Sequence, residues 1–376
     1  MISSRVERLI VWALAAVALG VQPQSSQAAP EAQPIALVRT FDYDRPLEKP
    51  VLFAAALYSR TNTKQFFTAL QNGEIAGWNE DQAQALWTVK VRDKEDDVVE
   101  QAALSADGKL LAVVGSGAFL QILDASSGKP LPVQYSATGA NQLPLVPHFT
   151  SVAFSGDGKY LAAGDANGQI FIWDTATPEA LGVLKSQDYL IKALAFSTSG
   201  EFLVSSSPAE VLIWNWPKRE IAVNIKDTLG DGPFWVDSVY LPSYERIMVV
   251  TTMDSTVILD IASGKVLKRF PIPQADEQEK GRPLVTIIDP EMTHLWRFLR
   301  EPLVQKLNLE GGQEEAAFLD ANLLEGGALA INIYSQVARK PDEPSTFVAG
   351  AVTWNVDLAT GELKMLTRLR HYRLPL

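Results

Sequence analysis

The chain contains no cysteine. Disulfides, thiolate zinc sites, haem attachment through Cys-x-x-Cys-His and a lipidated cysteine are therefore excluded. Histidine is scarce: His148, His294 and His371 are the three present, too far apart in sequence to form a local ligand pair. Acidic calcium loops, Gly-x-x-x-x-Gly-Lys phosphate loops and Gly-x-Ser-x-Gly nucleophile elbows are also missing. The expectation is a chain with no metal site, no cofactor and no catalytic set. Basic charge is also in deficit, with 33 Lys and Arg against 44 Asp and Glu, a net charge of −11. Such a chain repels phosphate backbones, so nucleic acid is not an expected partner.

Hydrophobic residues make up 47 % of the 376 residues, enough for a sizeable core. The one long apolar run is at the start. Arg5 and Arg8 precede 13 apolar residues, Leu9 to Val21. A bilayer span needs roughly 20 such residues, whereas this is the length of an export-signal core. Ser26-Gln27-Ala28 then offers small residues at the two positions that signal peptidase reads. The expectation is a signal peptide at 1–28, cleavage after Ala28, and a periplasmic or secreted mature chain that does not span the membrane. Residues 29–50 form an N-terminal segment, and residues 51–376 one repeat domain.

Those repeats are clearest from Phe149 to Asp174. Val152-Ala153-Phe154 reads as a strand and Ser155-Gly156-Asp157-Gly158-Lys159 as a turn. Tyr160 to Ala163 is a second strand, Asp165-Ala166-Asn167-Gly168 a second turn, and Gln169 to Trp173 a third strand. Trp173-Asp174 closes the unit. Its counterparts are Trp78-Asn79, Leu123-Asp124, Trp214-Asn215, Leu259-Asp260, Leu307-Asn308 and Val356-Asp357, at successive spacings of 45, 50, 41, 45, 48 and 49 residues. The positions singled out as structural are thus Trp78, Asp124, Trp173, Asp174, Trp214, Asp260 and Asp357. A further turn and fourth strand follow, as in Ser263-Gly264-Lys265 before Val266 to Phe270, and Thr360-Gly361-Glu362 before Leu363 to Leu366. Four strands repeated about every 45 residues predict an all-β, seven-bladed β-propeller of four-stranded antiparallel blades. Residues 35–43 (IALVRTFDY) read as a spare outer strand that closes the ring against the last blade, a place for which Leu363 to Leu369 competes.

The Ser-x-Asp-Gly-Lys turn and the Gly-Gln-Ile-Phe-Ile-Trp-Asp ending of this unit resemble the WD-repeat family. The likeness runs from about Val51 to Leu366, although Trp173-Asp174 is the one literal Trp-Asp pair, the family's Gly-His dipeptide is absent and Asn167 stands where its turn aspartate is expected. The resemblance implies a propeller that binds another protein, as a scaffold or accessory subunit, rather than an enzyme.

Candidate binding residues come from the loops that enter first strands, because these line one face of a propeller. Phe234 and Trp235 end the glycine-rich stretch 228–233, and Tyr189 enters the fourth repeat. Aromatics in such loops are frequent anchors, although core packing is the favoured reading for Trp235. Asp96 and Asp97 belong to an acidic run, either a solvated loop or a rim that steers a basic partner. His148 enters the third repeat. Two rival functions stay open at this point: a propeller enzyme, lactonase-like or quinone-dependent, built from scattered carboxylates, and recognition of a glycan or small molecule.

Overall fold

The computed structural model describes residues 33–34, 36–42 and most of 53–319, together with strands 328–337, 346–356 and 363–373. Its larger gaps within 53–319 are 93–97, 133–146, 186–188, 227–235, 241–246, 273–282, 289–293 and 300–302. The expected signal peptide 1–28 and the candidate residues Phe234, Trp235, Asp96, Asp97 and Asp357 lie outside the described residues.

Every element assigned among the described residues is a β-strand, and the strands assort into seven sheets. In the third sheet Phe149–Phe154, Tyr160–Asp165, Gln169–Asp174 and Ala180–Lys185 follow one another as an antiparallel meander. The innermost strands of the sheets are Phe53–Tyr58, Val99–Leu104, Phe149–Phe154, Ala193–Phe196, Val236–Tyr240, Pro283–Ile288 and Ala328–Val337. Each runs beside the next, and the last runs beside the first. The chain is therefore an all-β propeller, with sheets arranged radially around the inner strands.

Local chemistry explains why the repeat folds this way. In the first turn of the third sheet, the Ser155 hydroxyl donates to Asp157 Oδ1 at 2.7 Å. The same carboxylate accepts the Lys159 amide at 3.1 Å, and Ser155 Oγ accepts the Tyr160 amide at 2.9 Å. Ser105, Asp107, Lys109 and Leu110 reproduce this one repeat earlier at 2.7, 3.1 and 2.9 Å. These Asp-Gly-Lys stretches are hairpin turns whose polar groups are spent on the backbone.

The Asp or Asn after each repeat Trp or Leu has an equally definite task. It accepts a backbone N–H from the turn leading to the fourth strand. Asp124 takes the Ser127 amide at 2.9 Å, Asp174 the Ala176 amide at 2.8 Å and Asp260 the Ser263 amide at 2.9 Å. Asn79, Asn215 and Asn308 do the same for Asp81, Lys218 and Glu310. Asp and Asn are needed because their short side chains reach two or three residues forward.

The core lies between sheets rather than at a single centre. Ala112, Val114 and Ile122 of the second sheet pack against Phe149, Phe171 and Trp173 of the third, and the pattern repeats between the third and fourth and the fourth and fifth sheets. Trp173 is fully buried, with Phe149 edge-on at 5.9 Å between ring centres. Trp78 and Trp214 donate their indole N–H to Thr68 at 2.9 Å and Ser205 at 3.0 Å in the neighbouring strand. The recurring tryptophans thus fill the wedge between twisted sheets.

The last sheet departs from the simple repeat. Its order from the inside is Ala328–Val337, Thr346–Val356, Leu363–Arg373, and then Ala36–Asp42 from the N-terminal segment. Ala36–Asp42 pairs antiparallel with Leu363–Arg373, from Ala36 opposite Arg373 to Asp42 opposite Arg368. Gln33 and Pro34 lie parallel to Glu314–Leu319 of the preceding sheet. Two spacing-based expectations are corrected here. Val356 ends a second strand rather than a third, and Asp357 after it lies outside the described residues. Leu363 begins the third strand, not the fourth. The physical reason is that the N-terminal segment supplies the outer strand, so the C-terminal segment has three places to fill with longer strands.

Candidate functional site

Loops that join the outer strand of one sheet to the inner strand of the next gather at one end of the propeller, with the turns between second and third strands. Tyr189 and Leu190 belong to this end, between Ala180–Lys185 and Ala193–Phe196. They are 58 % and 41 % exposed, while Ile191 beside them is fully buried.

That contrast is built by hydrogen bonds. The Ile191 amide donates to the Asp165 carbonyl at 3.0 Å, and the Ile191 carbonyl accepts the Thr150 hydroxyl at 2.6 Å. An ideal Cβ on Gly164 would sit 2.5 Å from Ile191 Cβ, so the loop fits against bare backbone. Ile191 is the plug, and Tyr189-Leu190 is the part left facing water.

The support beneath is polar and tied down. Asp165 is fully buried, and its carboxylate accepts the amides of Asn167 at 2.9 Å and Gln169 at 2.8 Å. The Ala166 amide donates to the His148 carbonyl at 2.9 Å. His148 Nε2 lies 3.0 Å from Glu100 Oε1 on the inner strand of the second sheet. Next to it, the Ala118 amide donates to the Pro147 carbonyl at 2.6 Å, and the Arg92 guanidinium covers the Phe119 ring at 4.5 Å. The rim thus runs as one pinned surface from Arg92 through His148 to Tyr189.

Sequence reasoning placed Tyr189 on this rim, and the structure puts it there, exposed. It missed Leu190 and Asp165. Asp165 carried a usable signal: an Asp opening an Asp-x-Asn-Gly turn is placed to bind the amides two and four residues on. Leu190 carried none, because its exposure depends on Ile191 taking the buried place. Among the described residues no three His, Asp or Glu side chains are grouped as metal ligands, and no helix is long and apolar enough to cross a membrane.

These radial antiparallel sheets, mostly four-stranded and closed by Trp or Leu with Asp or Asn, define a class, the β-propellers built of short repeats. The family model described as "WD domain, G-beta repeat" matches residues 142–174, the stretch from the rim loop of His148 to Trp173-Asp174. The chain is 29 % identical over 120 residues to a guanine nucleotide-binding protein subunit beta of Nicotiana tabacum, covering 31 % of each chain. A subunit of the same name from Zea mays is 31 % identical over 136 residues, covering 32 % of this chain and 35 % of that protein. The Set1 complex component swd1 of Schizosaccharomyces pombe is 27 % identical over 127 residues, covering 34 % of this chain and 31 % of that protein. The chain spans about a third of the length of the curated relatives it matches. Residues 142–174 of the propeller are thus matched by the WD-repeat family.

Proposed function

We propose that this chain is an exported, seven-bladed WD-repeat propeller that serves as a non-enzymatic docking scaffold, with its partner protein seated on the rim around Tyr189 and Leu190. The observation that carries the reading is the exposure of two large side chains on a loop fixed by Ile191, Thr150 and Asp165. An apolar pair held rigidly in water loses little conformational entropy on binding and gains from desolvation. Proteins similar to this chain carry names that place them in assemblies, a subunit and a complex component, which agrees with a scaffold. Export rests on the charged start, the 13-residue apolar run and Ser26-Gln27-Ala28. In a periplasmic or secreted setting the absence of cysteine removes any risk of wrong disulfides, and packing between sheets supplies stability instead.

The test is crosslinking of tagged protein in the exported fraction, wild type beside Tyr189→Asp/Leu190→Asp. A protein recovered at near-equal stoichiometry with wild type and lost with the variant supports the reading. Equal recovery with both removes this rim as the site. Intact mass of the exported chain checks the leader: retention of residues 1–28 overturns export by cleavage.

A further inference from the structure

The boundary between the fifth and sixth sheets holds a buried polar seam that the repeat pattern does not require. In the fifth sheet Thr256 lies opposite Thr251 on one side and Phe270 on the other. In the sixth, Thr286 lies opposite Arg297. Directly opposed residues project from the same face of a sheet. Two contacts bring these faces together. The Thr251 hydroxyl donates to Thr286 Oγ1 at 3.1 Å. Arg297 donates from Nη1 to the Pro271 carbonyl at 3.2 Å and from Nη2 to the Phe270 carbonyl at 3.0 Å. Arg297 is 2 % exposed, and the three threonines are buried.

The seam leaves buried polar atoms orphaned. Thr256 Oγ1 and Arg297 Nε are buried without a hydrogen-bond partner. Nε–H can only donate, and the Thr286 hydroxyl, having accepted from Thr251, keeps its own proton to give. The charge is only partly offset. Burial lowers the Arg297 pKa to about 10, against a weaker opposing effect of Glu314, whose carboxylate is engaged by Gln305 Nε2 at 2.9 Å. Among the described residues no carboxylate forms an ion pair with Arg297. A buried cation without a direct ion-pair partner is costly, and so is each orphaned donor. A water molecule would satisfy some donors but would bring protons of its own and no charge.

We propose that the seam between the fifth and sixth sheets binds one small monovalent inorganic anion of the halide class, held by Arg297 Nε–H and the Thr256 hydroxyl. The anion locks the two sheets together, because its ligands come from both. This site is independent of the rim and does not rest on the scaffold reading.

The test compares melting of the purified protein in sodium chloride and in sodium gluconate at matched ionic strength. Gluconate is too large for a closed seam. Chloride should raise Tm saturably, by about 2 °C at ten times its Kd. Thr256→Val, which keeps shape and removes the donor, should abolish most of that increment, and Arg297→Met all of it. If Arg297→Met does not fold, Thr256→Val alone decides the matter. A crystal soaked in bromide should show an anomalous peak in contact with Arg297 Nε and Thr256 Oγ1. Equal melting of wild type in both salts, a chloride increment that survives Thr256→Val, or a bromide-soaked crystal with no peak in the seam overturns the proposal.

Discussion

The indole of Trp87 lies across Gly128 of the neighbouring sheet and donates its N–H to the Ala125 carbonyl at 3.1 Å. Trp87 sits on the outer strand of the first sheet, and Gly128 in the last turn of the second. The same relation recurs where Val223 covers Gly264 and where Phe270 lies 3.4 Å from a Cβ placed on Gly312. Outer strands are thus keyed to the next sheet through a turn glycine.

Gly128 has φ +70°, and an added Cβ would overlap the Trp87 ring, with Cδ2 at 2.7 Å. Gly158 has a similar φ of +72° but open space around it. Gly158→Ala should therefore cost about 1 kcal/mol from the backbone alone. Gly128→Ala should cost about 2 kcal/mol more, from overpacking. Urea denaturation of both variants checks this. Equal losses would mean that Trp87 moves aside freely and keys nothing.

The buried hydrogen bond from Trp214 to Ser205 makes a second expectation. Ser205→Ala removes the acceptor and leaves a buried indole N–H unpaired, which should cost about 1–3 kcal/mol. Trp214→Phe with Ser205→Ala removes both polar partners. The double variant should then lose less than the sum of the two single losses. Additive losses in a double-mutant cycle would show that the bond contributes no coupling.

Much of this was legible in sequence. The Trp-Asp positions fall at strand ends because both halves of the pair do local work: the aromatic fills the wedge, and the carboxylate binds its own turn. Local chemistry repeats, so spacing finds it. Trp87 and Gly128 were not legible, because the contact joins two repeats and neither residue is unusual in its own strand. The last sheet misled the spacing for a related reason. Its outer strand comes from residues 36–42, more than 300 positions away from Leu363, and a linear ruler assumes that each repeat is contiguous. On the rim, Tyr189 was recognisable as an aromatic in an entering loop, but its orientation is set by Ile191, whose burial depends on the turn of the preceding repeat.

Acid sensitivity should follow from the first turns. The hydroxyls of Ser105 and Ser155 hold the carboxyls of Asp107 and Asp157 below their ordinary value of 3.8, with help from the Lys109 and Lys159 amides. A carboxyl whose pKa is depressed by folding stabilises the fold above its unfolded value, and that contribution disappears as pH falls through the folded value. Both aspartates are partly exposed, so each effect is small. Ser105→Ala/Ser155→Ala should move both carboxyls up towards 3.8 in an NMR titration and raise the pH of acid unfolding. Unchanged titration curves would assign the depression to the amides alone.

The N-terminal segment should matter out of proportion to its length. Ala36–Asp42 covers the free edge of Leu363–Arg373, and Gln33-Pro34 reaches the sheet before it. Removing residues 33–42 would strip both pairings together and expose an 11-residue edge, Leu363–Arg373, to water and to other chains. The deletion should lower Tm by well over 5 °C, since several hydrogen bonds and a sheet edge are lost together, and should promote aggregation. Deleting residues 29–32, which precede these pairings, is the control and should leave Tm unchanged. If both truncations melt like wild type in differential scanning calorimetry, the outer strand is dispensable, and the last sheet holds its place through the contact of Ala328–Val337 with Phe53–Tyr58.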